Sequence, residues 1–108
     1  MVNIHFTWDD PADAAKARAL DEFAVQWREE AMRSPGIQSL QAFVHPHALL
    51  QRVSVTTWAD IDSANRFMSS DVWRKLITEM QAAGATNIKA QVFMACPTTP
   101  VPLRSTVS

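Results

Sequence analysis

The chain has 108 residues, of which 47% are hydrophobic and 19% charged, and this length and composition are typical of a globular protein with one core. Its net charge of −1 and its scattered lysines and arginines exclude the basic surface of a nucleic-acid-binding protein. No apolar stretch approaches the roughly 20 residues that cross a bilayer, and the N-terminus lacks the pattern of a secretory signal, so we expect a cytoplasmic protein with no membrane partner.

The first half of the chain predicts a strand followed by a helix. Apolar and polar residues alternate over residues 2–8, which is the period of a strand with one buried face. Asp9 and Asp10, followed by Pro11, are typical of a helix N-terminus. Residues 12–32 then carry an apolar stripe at helical spacing, without a further glycine or proline. We therefore expect one face of this helix to be buried.

The second half predicts a hairpin, a second helix and a last strand. Residues 37–45 and 50–58 have strand character and are joined by a short polar segment. Asp60 or Asp62 can cap the second helix, and Ser70 can restart it after a break at residues 69–71. Gly84 ends this helix, and residues 87–95 form the last strand. The prolines after it predict an extended tail over residues 97–108, outside a domain of residues 1–96.

The order βαββαβ predicts a ferredoxin-like α+β fold, in which an antiparallel four-stranded sheet carries two helices on one face. We expect the apolar positions of the strands to lie under the helices and the alternate positions on the opposite face. A one-residue slip in register would exchange the two faces. The set predicted to lie inside consists of Ile4, Phe6, Trp8, Leu40, Ala42, Val44, Val53, Val55, Ile88, Ala90, Val92 and Met94. The set predicted to lie outside consists of Asn3, His5, Thr7, Gln41, Phe43, His45, Arg52, Ser54, Thr56, Lys89, Gln91 and Phe93.

Residues 34–94, more than half of the chain, resemble the antibiotic biosynthesis monooxygenase family of dimeric α/β barrels. The residues that carry the resemblance are Pro35, Gly36, Phe43, Arg52, Trp58, Ala64, Phe67, Ser70, Trp73 and Leu76. The resemblance implies a homodimer with a pocket in each subunit between the sheet and the helices. Self-association also suits a small chain with four tryptophans and five phenylalanines, which often buries a further face against a second copy.

The resemblance also implies an activity. Characterised members oxygenate aromatic or quinol compounds with neither a metal nor a flavin, so no cofactor is expected. A related branch degrades heme with an asparagine on the first strand and a tryptophan and a histidine on the second helix. The matching positions here are Thr7, Phe67 and Ile77, which retain none of the three side chains.

The three histidines are the first candidates for a catalytic base, because only histidine has an unperturbed pKa near neutrality. His5 and His45 are the predicted bases, with Thr7 beside His5 to bind a polar substituent. The alternative is that both histidines form hydrogen bonds in a dimer interface. His47 is expected to be exposed in the hairpin. No carboxylate or cysteine lies in the hairpin, so no metal site is predicted.

Trp27, Phe67 and Trp73 are predicted to frame an aromatic substrate, and Arg66 to pair with an anionic or phenolate group. The alternatives are that the aromatic residues form only the core and that Arg66 lies on a solvated helix face. The predicted function is a cofactor-independent monooxygenase-like enzyme that acts on a small aromatic or quinol compound. The alternative is a non-catalytic dimeric barrel that binds small molecules or responds to stress. Cys96, the single cysteine, is expected to be a buried or half-buried apolar side chain.

Overall fold

The computed structural model describes residues 1–107, and Ser108, the last residue of the predicted tail, lies outside them. The elements are β1 (Val2–Asp9), α1 (Ala14–Ala31), β2 (Ile37–Val44), β3 (Gln51–Trp58), α2 (Ile61–Met68), α3 (Asp71–Ala82) and β4 (Thr86–Met94). The strands form one antiparallel sheet in the order β2-β3-β1-β4, which leaves β2 and β4 at the edges. This order, with the helices packed on one face, confirms the predicted ferredoxin-like fold.

Capping side chains mark the residues at which the helices begin. The Asp13 carboxylate accepts a hydrogen bond from the Lys16 amide at 2.9 Å, so α1 begins after Asp13 and the predicted start at Asp9 or Asp10 is wrong. The predicted break in the second helix is confirmed, because the Ser70 hydroxyl accepts from the Trp73 amide at 3.3 Å and starts α3.

Asp60 caps α2, as predicted. Its carboxylate accepts a hydrogen bond from the Ser63 amide at 2.7 Å. This bond to the ionised form lowers the pKa of the Asp60 carboxyl.

The predicted faces are confirmed for β1, β2 and β4 but wrong for β3. Ile4 lies opposite Thr56, and Phe6 lies opposite Ser54. Side chains that lie opposite each other on neighbouring strands project from the same face of a sheet. Arg52, Ser54 and Thr56 therefore lie under the helices, whereas Val53 and Val55 project from the outer face.

The inward face of β3 is set by Trp58, whose side chain is completely buried. Its indole nitrogen donates to the Thr56 hydroxyl at 2.7 Å, so the buried polar atoms of both residues are satisfied. The Trp58 ring also packs against Phe67 of α2, with 4.9 Å between the ring centroids. Because side chains alternate along a strand, burial of Trp58 brings Thr56 and Ser54 inward with it.

Gly36 lies in the turn between α1 and β2, where φ is +88°. An added Cβ there would meet the Cβ and Oγ atoms of Ser63 in α2. Gly36 thus allows the left-handed backbone and the close approach of α2 to the start of β2. Gly84 has a φ of +95°, and a Cβ added there would lie 3.3 Å from the Pro11 Cβ, its nearest neighbour.

Cys96, which follows β4, is exposed, so the expectation of a buried or half-buried side chain is wrong. A hydrogen bond with the Thr98 hydroxyl lowers the pKa of its thiol. Within residues 1–107, no helix is long and apolar enough to cross a membrane.

We expect Gly36→Ala to lower the free energy of unfolding by more than Gly84→Ala does, as measured by urea denaturation. Both substitutions strain a left-handed backbone by about 1–2 kcal/mol, but only Gly36→Ala also forces Ser63 to move. Equal losses for the two variants would contradict the close packing of α2 against the turn.

Candidate ligand-binding site

A cavity of about 290 Å³ lies between the inner face of the sheet and α1. α2 packs directly against β1 and β3, whereas α1 contacts α3. The side of α1 that faces the sheet packs Trp27 against Phe6 and leaves the cavity beside these rings. Its mouth lies at the edge of the sheet, where Asp21 of α1 and Phe43 and Val44 of β2 are exposed.

The walls of the cavity are mainly apolar. They include the aromatic residues Phe6, Trp8, Phe23 and Trp27 and the aliphatic residues Leu20, Ala24, Ala42, Leu76 and Met80. Phe6 is central to these walls, since its ring centroid lies 5.3 Å from that of Trp8 and 6.4 Å from that of Trp27. Flat apolar walls and this volume suit a small planar molecule.

A buried ion pair forms one side of the cavity. Asp10 is 5% exposed, and its Oδ2 forms an ion pair with Arg52, 3.1 Å from Nε. Its Oδ1 accepts from the Trp8 indole nitrogen at 2.9 Å. Arg52 Nη1 also donates to the Leu49 carbonyl at 2.7 Å, which ties the hairpin to the cavity wall. Both Asp10 oxygens are thus engaged in holding Trp8 and Arg52 in place.

The charged side chains that line the cavity have a net charge of zero. Asp10 and Asp21 carry negative charge, and Arg28 and Arg52 carry positive charge. No histidine lines the cavity among the residues described. A wall without net charge favours a neutral ligand, or an anion whose charge is delocalised.

Two buried polar atoms, in residues that line the cavity, have no hydrogen-bond partner within residues 1–107. They are the indole nitrogen of Trp27 and the hydroxyl oxygen of Ser54. Trp27 is 7% exposed and Ser54 only 3% exposed, so neither atom faces open solvent. Buried polar atoms in folded proteins nearly always have a partner. Because both residues line the cavity, a ligand bound there is the candidate partner.

The predicted substrate-binding residues fall in different places. Trp27 lines the cavity. Phe67 and Trp73 are buried in the core, 5.6 Å apart between centroids, and do not line this cavity, although Phe67 lines a separate groove together with Arg66. Arg66 lies beside this groove between the end of α1 and α2, where its Nη2 donates to the Ser63 hydroxyl at 3.4 Å.

His5 and Thr7 lie on the outer face of the sheet, opposite Val55 and Val53 of β3. The His5 ring meets the ring of Phe93 edge-on, with 4.7 Å between centroids. The sheet therefore separates both side chains from the cavity of their own subunit. Their proposed roles in catalysis and binding stay predictions.

His45 follows β2 in the hairpin. Its Nδ1 accepts hydrogen bonds from the backbone amides of His47 at 3.0 Å and Ala48 at 2.9 Å. Nδ1 is the acceptor in both bonds, which fix the turn. His45 is exposed, and its predicted role as a base also stays a prediction.

Sequence reasoning missed Asp10 and Ser54 as site residues. The sequence pattern indicates a helix cap at Asp10 and predicts an outward position for Ser54. One signal could have found Ser54: if Trp58 is a core residue, the period of two in β3 also turns positions 56 and 54 inward. The sequence holds no comparable signal for Asp10, whose partners are set by the tertiary fold.

Solved structures resemble this fold closely. A Deinococcus radiodurans protein assigned to the antibiotic biosynthesis monooxygenases aligns with a TM-score of 0.81 and 14% identity over 97% of this chain and 100% of that chain. SnoaB, a cofactor-independent oxygenase from Streptomyces nogalater, aligns with a TM-score of 0.73 and 16% identity over 93% of this chain and 97% of that chain. No family model matches the sequence, and no curated protein matches it.

These alignments confirm the predicted likeness to antibiotic biosynthesis monooxygenases at the level of the fold. The protein is thus a ferredoxin-like α+β protein with the architecture of those structures. One fold can carry many functions, and the identities are near 15%. The alignments therefore show a shared fold, and the function depends on the side chains of this cavity.

We expect Ser54→Ala and Thr56→Val to change the free energy of unfolding differently, although both replace a buried hydroxyl on the same face of β3. Thr56→Val leaves the Trp58 indole without its acceptor and should destabilise the protein by about 1–3 kcal/mol. Ser54→Ala breaks no hydrogen bond and should change the stability by less than about 0.5 kcal/mol or raise it. Urea denaturation of the ligand-free variants measures both values, and a large loss for Ser54→Ala would show that its hydroxyl has an internal partner.

Proposed function

We propose that this protein is a cofactor-independent monooxygenase-like enzyme that acts on a small aromatic or quinol compound bound under α1. The observation that carries the proposal is the cavity of about 290 Å³ with aromatic walls and two unpartnered polar atoms. Its volume lies just below the range of about 300–1,000 Å³ usual for ligand pockets, which suits a ligand of one or two rings. The fold shared with SnoaB supports the same class of reaction.

The proposed reaction needs no redox group on the protein, since the substrate supplies the electrons to O₂. With 1-naphthol as an example, the ionised ring passes electrons to O₂ and a hydroperoxide forms at the ring carbon para to the oxygen. That carbon then loses its hydrogen and the O–O bond breaks. One oxygen atom remains as a carbonyl, the other leaves as water, and the product is 1,4-naphthoquinone.

The protein's part in this reaction is to bind the ring, to exclude water and to stabilise the ionised form. Because no histidine lines the cavity within residues 1–107, the phenolic proton passes to solvent at the mouth beside Asp21. The rate should therefore rise with pH as the substrate itself ionises. The aromatic walls provide the dry environment in which oriented dipoles act strongly.

A non-catalytic binding protein is the second candidate. It is favoured by Asp10, the most deeply buried acid of the cavity, whose two oxygens are already occupied by Arg52 and Trp8. In that case the cavity would bind an aromatic ligand without turning it over.

We expect the protein to consume O₂ in the presence of 1-naphthol, with one labelled oxygen atom in the quinone when ¹⁸O₂ is used. Ala24→Trp, which fills the cavity, should abolish the uptake, whereas Ala15→Trp on the exposed face of α1 should not. An oxygen electrode and mass spectrometry measure both effects. Binding without oxygen uptake would favour the second candidate, and equal activity in the two variants would contradict a reaction in this cavity.

We also propose that two copies pack through the outer faces of their sheets. Phe43 is 47% exposed and Phe93 46% exposed on this face, and Val53 and Val55 are half-buried between them. An apolar area of this kind on a small domain favours a partner. The His5 ring, packed on Phe93, would lie within the interface.

We expect Phe93→Asp to convert a dimer into a monomer in sedimentation equilibrium, because it places a charge in a desolvated interface. The matched control is Val25→Asp, since Val25 is 54% exposed on α1, away from the sheet. A wild-type monomer, or a dimer that survives Phe93→Asp, would contradict packing through this face.

A further inference from the structure

The unpartnered atoms of Trp27 and Ser54 restrict the chemistry of the ligand. An indole N–H can only donate a hydrogen bond, so the atom that faces it must be an acceptor. The hydroxyl of Ser54 can both donate and accept. An ammonium group would leave the indole unsatisfied, and a pure hydrocarbon would leave both atoms unsatisfied.

Ser54 and Trp27 both lie next to Phe6 in the wall of the cavity. Ser54 is directly opposite Phe6 in the pairing of β1 with β3, and the Trp27 ring centroid is 6.4 Å from that of Phe6. Phe6 thus neighbours both residues, and it lines the same cavity. The nearest buried ion pair, formed by Asp10 and Arg52, is internally satisfied on the carboxylate side.

We propose, building on the function proposed above, that Trp27 and Ser54 bind the oxygen of a phenolic or ketonic ring while its flat faces pack on the aromatic walls. The Trp27 indole donates to this oxygen. The Ser54 hydroxyl accepts from a phenol and donates to a phenolate or a carbonyl. The two residues therefore select oxygenated rings over hydrocarbons of the same shape.

The same two groups bear on the reaction. When the phenol ionises, negative charge develops on the oxygen that they bind, and hydrogen bonds to a charged acceptor are stronger than those to a neutral one. Donors placed in a dry cavity before the charge forms stabilise it without having to reorganise. Trp27 and Ser54 would thus favour the ionised ring that reacts with O₂.

The test compares 1-naphthol with naphthalene, which has the same rings without the oxygen. Dissociation constants are measured by calorimetry under argon, so that no oxidation occurs, for the wild type, Ser54→Ala and Trp27→Phe. Ser39→Ala is the matched control, because Ser39 is exposed on β2 and lies outside the cavity. Circular dichroism establishes that each variant is folded.

We expect the wild type and Ser39→Ala to bind 1-naphthol more tightly than naphthalene. Each cavity variant should weaken 1-naphthol binding by about three- to tenfold, the net effect of one hydrogen bond, and leave naphthalene binding within about twofold. Equal losses for both ligands, no loss for either, or no binding of 1-naphthol by the wild type would overturn the proposal. If the protein binds 1-naphthol in preference to naphthalene but consumes no O₂ with it, these contacts are upheld and only the proposed oxygenase activity is refuted.

Discussion

The complete burial of Trp58 at the end of β3 is the constraint on which the rest of the structure depends. It fixes which face of the strand turns towards the helices, because a shift of one residue would expose this large ring to solvent. Its hydrogen bond to Thr56 and its contact with Phe67 hold β3 against α2. As a consequence, β3 presents polar side chains to the helices and valines to the outer face, and both proposed interaction surfaces follow from that arrangement.

The two sides of the helical layer differ in packing. On one side, Trp58, Phe67 and Trp73 fill the space under α2 and α3 with aromatic rings. On the other side, α1 leaves a cavity above Phe6 and Ser54, bounded by the ion pair of Asp10 and Arg52. The aromatic side gives the domain its stability, and the open side provides room for a ligand. A fully packed domain of this size would have no interior site.

Much of the fold could be predicted from the sequence because its signals are local. Alternation in β1, the cap at Ser70 and the glycine after α3 mark elements through their own side chains. The site was less predictable, since it depends on which residues meet across the sheet. Val53 and Val55 suggested an inward face by their hydrophobicity, yet the burial of Trp58 decided the register. In the sequence, His5 is a clear candidate because its side chain is titratable. Trp27 and Ser54 carry no charge, and only the structure shows that their polar atoms lack hydrogen-bond partners.

The central claim is that the cavity under α1 binds an oxygenated aromatic ring through Trp27. The most direct measurement is the set of indole N–H signals in the ¹H–¹⁵N NMR spectrum of the ¹⁵N-labelled protein during titration with 1-naphthol under argon. The four tryptophans give four signals, assigned by single Trp→Phe variants. The account predicts that the Trp27 signal moves downfield as its N–H gains an acceptor, while the Trp58 signal, already bonded to Thr56, stays in place. A Trp27 signal that does not respond to the ligand would contradict it.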